Sequence, residues 1–123
     1  MRILYVEDNP ELRDTIALLM EAPGRSIVSC ASAEEALARD AEQGPFDLVM
    51  TDVSLPGMNG PAMCRALLAR HGQQRFVLCS GYHLDDELAG CGAQVQLLHK
   101  PFDIEALEAL LDDAQARLQD TAS

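Results

Sequence analysis

Short apolar runs alternate with helical segments along this chain, and that alternation constrains the fold more than any other feature. The apolar runs predict five strands, at residues 3–6, 26–30, 46–51, 76–79 and 95–98. Apolar residues at helical spacing predict helices at 10–21, 33–43, 63–70 and 104–118, with a short one at 84–88. Ser32 followed by Glu35 predicts a capping box at the start of the second helix. Strands that alternate with helices indicate a parallel sheet with helices on both of its faces.

Length and charge suggest one acidic domain. The 123 residues suit a single domain, 1–123, in which we expect residues 119–123 to form a frayed tail. A net charge of −11 argues against binding to nucleic acid and against docking to anionic membranes. No apolar run reaches the roughly 20 residues of a membrane span, and no N-terminal signal is visible.

The cysteines and histidines show no spacing that is typical of a metal site. The four cysteines form no C-x-x-C pair, and we expect Cys30 and Cys79 to be reduced core residues. His71, His83 and His99 are interpreted as surface residues. These features together predict a cytoplasmic location.

Polar residues lie where the predicted strands end. Glu7 and Asp8 follow the first strand, Asp52 ends the third, Ser80 follows the fourth and Lys100 follows the fifth. The carboxyl ends of parallel strands share one edge of the sheet, where sites form in open α/β folds. Taken singly, Asp8 also suits a helix N-cap, Ser80 a turn and Lys100 a solvated surface. The joint pattern favours a site.

This set of side chains suits phosphoryl transfer. Three neighbouring carboxylates repel one another unless a cation lies among them, and hard oxygen ligands are typical of Mg²⁺. An ammonium and a hydroxyl beside the metal can hold phosphoryl oxygens, so that catalysis needs positioning and charge neutralisation. An aspartate can itself be the nucleophile, which forms an acyl phosphate.

The motifs resemble those of a bacterial response-regulator receiver domain, over essentially the whole chain. They are Glu7-Asp8, the segment 51–60 around Asp52, Ser80-Gly81 and Lys100-Pro101-Phe102. The sequence around Ser80 and Lys100 resembles receivers attached to hybrid histidine kinases more than it resembles receivers that drive DNA-binding domains. The resemblance implies a flavodoxin-like, doubly wound (βα)5 fold with a five-stranded parallel sheet of order 2-1-3-4-5.

The resemblance also implies a role for each matching residue. Asp8 and Asp52 would ligate Mg²⁺, with Mn²⁺ as a substitute ion, while Glu7 would act mostly through water and Ser54 through its backbone carbonyl. Asp52 would accept a phosphoryl group from the phosphohistidine of a sensor histidine kinase or histidine phosphotransfer protein. Lys100 would pair with a phosphoryl oxygen, and Ser80 would be the switch hydroxyl.

Around the phosphate site the family implies two further features. It implies a cis Lys100–Pro101 bond, which would direct the ammonium inward. It usually has an aromatic residue three positions before the lysine, where this chain has Leu97. Tyr82 either substitutes for that ring or is an ordinary solvated loop residue.

Output is expected through protein contact, because the chain shows no effector domain. The family implies an unidentified downstream protein as the partner and allows a homodimer through the last helix. Two other functions compete with this interpretation. A pseudo-receiver would only bind proteins, but it would have lost acids or the lysine. A Mg²⁺-dependent aspartyl-phosphate phosphatase would have a second acid two residues after the nucleophile, where this chain has Ser54. We therefore predict a signalling module rather than a turnover enzyme.

Overall fold

A five-stranded parallel sheet forms the centre of the computed structural model, which describes residues 1–52, 55, 57–72, 74–80, 95–99 and 104–122. The strands are β1 (Arg2–Val6), β2 (Ser26–Cys30), β3 (Leu48–Asp52), β4 (Phe76–Ser80) and β5 (Val95–His99). Their order is β2-β1-β3-β4-β5, and every neighbouring pair is parallel. The predicted fold class and strand order are confirmed.

Four helices connect or follow these strands in the described part of the chain. They are α1 (Pro10–Met20), α2 (Ala33–Gln43), α3 (Gly60–Arg70) and α4 (Ile104–Ala122). The predicted helix at 84–88 lies outside the described residues. Residues 119–122, for which we expected a frayed tail, have helical backbone that continues α4 to Ala122. The segment contains neither Gly nor Pro to end the helix earlier.

Two apolar layers pack against the two faces of the sheet. Successive strand residues point to opposite faces, so Leu4 and Val6 face one layer while Ile3 and Tyr5 face the other. The first layer is completed by α2 and α3, through fully buried residues such as Ala36, Met63 and Leu67. The second is completed by α1 and α4, through Ile16, Met20, Leu107 and Leu111. Burial on both faces explains why the central strands read as nearly continuous apolar runs.

The described cysteines lie in these layers. Cys30, Cys64 and Cys79 are buried, as predicted for Cys30 and Cys79. Burial, with the charge of Glu35 nearby, raises the pKa of the Cys30 thiol to about 11. Within the described ranges, none of the helices is both long and apolar enough to span a membrane.

The capping box at the start of α2 differs in one bond from the prediction. The Ser32 hydroxyl accepts from Glu35 N at 3.1 Å, as expected. The Glu35 carboxylate, however, accepts from Ala31 N at 3.4 Å rather than from Ser32 N. The glutamate side chain is long enough to reach one residue further back along the chain.

His71, interpreted from the sequence as a surface residue, is half-buried and paired with an acid. Its side chain is only 29% exposed, and Nε2 lies 2.9 Å from the Asp40 carboxylate, which is 1% exposed. Arg70 donates to the same carboxylate at 3.2 Å. These contacts join the ends of α2 and α3, two helices that the sequence does not show to be neighbours. His83 and the side chain of His99 lie outside the described residues.

Candidate functional site

Three carboxylates meet at the carboxyl edge of the sheet. β1 and β3 are parallel neighbours in which Val6 pairs with Thr51, so Glu7 and Asp52 follow side by side. Carboxylate oxygens of Glu7, Asp8 and Asp52 all lie within 4.8 Å of one another. Glu7 is buried, Asp52 is half-buried and Asp8 is exposed. The structure thus brings together the three acids that strand-end positions predict.

Asn9, not Asp8, caps the helix that follows β1. The Asn9 side chain accepts from Glu11 N at 3.0 Å and from Leu12 N at 3.1 Å, which satisfies two N–H groups at the start of α1. The alternative reading of Asp8 as an N-cap is therefore excluded. The Asp8 carboxylate contributes instead to the acidic cluster.

Backbone contacts on both sides hold Glu7 in place. Its N–H donates to the Cys30 carbonyl of β2 at 3.0 Å, and its carbonyl accepts from Arg13 Nη1 at 2.9 Å. One carboxylate oxygen accepts from Asn9 N at 3.3 Å. A buried carboxylate is costly unless it is hydrogen-bonded or paired, and the Asn9 N–H provides one such partner. Glu7 and Asp8 thus lie in the short connection between β1 and α1, where hydrogen bonds to Cys30 and Arg13 hold Glu7.

Tyr5 lies just below the acids, and the sequence analysis did not single it out. Its ring is 3% exposed, on the same side of β1 as Glu7 two residues later. Burial raises the pKa of Tyr5, and the nearby charge of Glu7 and then the groups of Cys79 and Asp52 raise it further. The phenol therefore stays protonated and adds no charge to the acids. A tyrosine in an apolar strand, two residues before an acid, is the signal that could have identified it.

The connection after Asp52 is anchored to the body of the domain. Leu55 is buried in the layer beneath α2 and α3, and Met58 packs against that layer. Met58 N donates to the Glu34 carboxylate at 2.8 Å. Asn59 then caps α3 by accepting from Ala62 N at 2.8 Å. Sequence reasoning missed Glu34, because its partner lies 24 residues away.

The other predicted site residues are only partly described. Ser54 and Lys100 lie outside the described residues, as do Tyr82 and Pro101. The backbone of Ser80 ends β4, one residue past the pair that Cys79 forms with Asp52. Ser80 therefore follows the residue of β4 that pairs with Asp52, which agrees with a place beside Asp52. The side chain of Ser80 lies outside the described part of the chain.

The acids fit a small divalent cation. Mg²⁺ takes oxygen ligands at about 2.0–2.1 Å, so oxygens on opposite sides of the ion are roughly 4.2 Å apart. Carboxylate oxygens of Glu7, Asp8 and Asp52 lie within 4.8 Å of one another, which is close to that span. One buried, one half-buried and one exposed carboxylate would leave room for retained water, which Mg²⁺ prefers.

Comparison with known proteins identifies the class. Residues 3–112 match the response regulator receiver domain family, and the chain belongs to that family. It is a receiver domain of two-component signalling systems, as the motifs indicated.

Individual relatives agree with this assignment. The chain is 33% identical over 116 residues to the signal transduction histidine-protein kinase BarA of Escherichia coli strain K12. The aligned region covers 90% of the chain and 12% of BarA. It is 34% identical over 110 residues to the DNA-binding response regulator MtrA of Mycolicibacterium smegmatis, covering 88% of the chain and 47% of MtrA. The chain therefore spans only a part of the length of these relatives.

Solved structures show the same fold. The receiver domain of the hybrid histidine kinase CckA is 31% identical, with a TM-score of 0.75 and coverage of 93% of this chain and 98% of that one. The chemotaxis response regulator CheY4 of Vibrio cholerae has a TM-score of 0.79 at 24% identity, covering 92% of this chain and 97% of that one.

Proposed function

We propose that Asp52 is the phosphoacceptor of this receiver domain and that the acidic cluster binds Mg²⁺. The observation that carries the proposal is the convergence of Glu7, Asp8 and Asp52 at one sheet edge. Asp8 and Asp52 would ligate the ion directly, with Glu7 mostly through water. The Ser54 carbonyl would complete the protein ligands, and Mn²⁺ would substitute for Mg²⁺. The bound ion would supply neutralising charge for the incoming phosphoryl group.

The transfer reaction uses the carboxylate of Asp52 as its nucleophile. A carboxylate oxygen forms a bond to phosphorus while the bond from phosphorus to the imidazole nitrogen of the donor phosphohistidine breaks. The bonding electron pair leaves with the imidazole, and the product is an acyl phosphate. Lys100 would pair with a phosphoryl oxygen, and Ser80 would provide the switch hydroxyl.

The partners of this module follow from the same proposal. The donor would be a sensor histidine kinase or a histidine phosphotransfer protein, and output would pass to a downstream protein through contact. A homodimer through α4 is a further proposal. The module would assist its own phosphorylation and the hydrolysis of its own acyl phosphate without acting as a turnover enzyme. We propose a cytoplasmic location, since buried thiols suit a reducing compartment.

The proposal is tested by intact-mass spectrometry after incubation with Mg²⁺ and a small acyl phosphate. The wild-type chain is expected to gain one phosphoryl group, and Asp52→Asn none. Asp14→Asn, which removes an exposed acid of α1, is the matched control and should be modified like wild type. An unchanged wild-type mass, or equal labelling of Asp52→Asn, would contradict the proposal.

A further inference from the structure

Arg13 reaches from α1 back to the acidic pair that follows β1. Its Nη1 donates to the Glu7 carbonyl at 2.9 Å, across six residues of sequence. The helix that carries Arg13 is anchored at this end, because the Arg13 N–H donates to the Asn9 carbonyl at 2.8 Å and the Asn9 side chain caps α1. The half-buried Arg13 side chain is therefore directed to the backbone beside the proposed metal site.

This contact belongs to a set of hydrogen bonds that holds the backbone on both sides of Asp8. The Glu7 carbonyl and the Asp8 N–H belong to one planar peptide unit, so the Arg13 bond holds that unit. The next peptide unit is held through the Asn9 N–H, which donates to Glu7 Oε2 at 3.3 Å. Two held units fix both backbone dihedral angles of Asp8, and these set the direction in which its side chain leaves the backbone.

Asp8 depends on this support more than the other two acids of the cluster. Glu7 is buried and Asp52 belongs to β3, so the surrounding structure restrains both of them. The side chain of Asp8 is exposed and is not oriented by packing. Ordering it around a metal costs conformational entropy, and a backbone that is already held reduces that cost.

Arg13 has two possible effects on a bound cation, and they have opposite signs. The hydrogen bond goes to a neutral backbone oxygen, which suits a residue that positions the chain. A guanidinium near three carboxylates also carries a positive charge, and that charge opposes the binding of a cation. Positioning therefore strengthens Mg²⁺ binding, whereas the charge alone weakens it.

We propose that Arg13 is a positioning residue for the metal site: it holds the Glu7 carbonyl and thereby directs the Asp8 carboxylate toward Mg²⁺. This inference rests on the proposed function, because it assigns to Arg13 a part in the same reaction. The guanidinium acts through Asp8 and touches neither the ion nor the phosphoryl group.

Substitutions of Arg13 separate the two effects. Arg13→Met keeps a long unbranched side chain but removes the donor and the charge, whereas Arg13→Lys keeps both. Arg13→Gln is uncharged and shorter, and it answers the same question if Arg13→Met does not fold. Arg65→Met removes an exposed charge from α3 and is the matched control.

Three measurements are made on each variant. Calorimetry gives the Mg²⁺ dissociation constant, and urea unfolding gives the stability separately. NMR relaxation of the metal-free protein gives the order parameter of the Asp8 N–H. For phosphorylation by a small acyl phosphate, the rate is also followed as a function of Mg²⁺ concentration.

Arg13→Met is expected to weaken Mg²⁺ binding about two- to tenfold, the effect of one hydrogen bond, even though the cluster becomes more negative. The order parameter of the Asp8 N–H should fall below the value of about 0.85 that is typical of rigid backbone. The rate at saturating Mg²⁺ should stay within about twofold of wild type, since excess metal compensates for weaker binding. Arg13→Lys should recover most of the affinity, and Arg65→Met should bind Mg²⁺ like wild type.

Two results would overturn the inference. Tighter Mg²⁺ binding in Arg13→Met would show that Arg13 acts through its charge. Unchanged Mg²⁺ affinity, with or without a loss of stability in urea, would restrict Arg13 to a role in folding. In both cases a wild-type protein that is phosphorylated at Asp52 keeps the proposed function intact. A wild-type protein that neither binds Mg²⁺ nor takes the phosphoryl group would refute the proposed function itself.

Discussion

Among single residues, Asp40 carries the most deeply buried described charge away from the site. Its side chain is 1% exposed, with Arg70 and His71 as partners at 3.2 and 2.9 Å. Gly44 lies so close that a Cβ there would be 2.5 Å from Asp40 Oδ1. The buried carboxylate is therefore held by specific partners, and removing it should affect stability.

Asp40→Ala is predicted to lower the free energy of unfolding by about 1–3 kcal/mol. Two donors would lose their acceptor, but both are partly exposed and can be rehydrated, which limits the cost. Urea unfolding provides the measurement. Glu42→Ala, an exposed change on the same helix, should stay within about 0.5 kcal/mol of wild type. Equal stability of the two variants would show that the Asp40 contacts contribute nothing net.

Individual residues of the site differ in how far their role could be predicted from the sequence. Asp52, Glu7 and Asp8 could be predicted because strand ends and turn residues are read locally, and parallel strands bring their ends to one edge. Tyr5 has a local signal, a tyrosine two residues before an acid, whereas the role of Glu34 could not be predicted because its partner lies in another segment. The acid cluster was thus accessible from the sequence, while its supporting contacts were not.

At the scale of elements, each of the first three helices begins with a side-chain cap. Asn9, Ser32 and Asn59 accept from N–H groups that have no partner within their helices. Two of these helices begin directly after site segments, since α1 follows Asp8 and α3 follows the connection from Asp52. Their caps therefore determine where the site segments end.

Asn59→Ala is predicted to destabilise the domain by about 1 kcal/mol, because Ala62 N would lose its acceptor. Asn59→Ser, which keeps an oxygen in an equivalent role, should recover most of the loss. Urea unfolding of the two variants beside wild type measures the difference. If the serine variant were as unstable as the alanine variant, the cap would not be the cause.

For the whole molecule, metal binding and folding stability should be linked. Three carboxylates within 4.8 Å of one another repel in the folded state, and the separation of charges in the unfolded chain relieves that repulsion. A cation that binds only the folded protein stabilises it by mass action. The net charge of −11 adds to the repulsion that the cation offsets locally.

We predict that Mg²⁺ at ten times its dissociation constant raises the unfolding free energy by about 1.4 kcal/mol and the melting temperature by about 5 °C. Asp8→Asn should melt higher than wild type without metal, because one repelling charge is gone, and should respond less to Mg²⁺. Asp14→Asn should respond like wild type. Scanning calorimetry with and without Mg²⁺ measures both quantities, and a wild-type melting temperature indifferent to Mg²⁺ would contradict the prediction.

The amino-acid sequence by itself determined the α/β class, the strand order through its family motifs, and the acids of the site. These depend on local periodicity and on the geometry that all parallel sheets share. Only the tertiary structure decided that Asn9 rather than Asp8 caps α1, that His71 pairs with Asp40, and that Glu34 reaches Met58. Those contacts depend on how side chains from distant segments meet after the helices pack, and no short stretch of sequence contains that information.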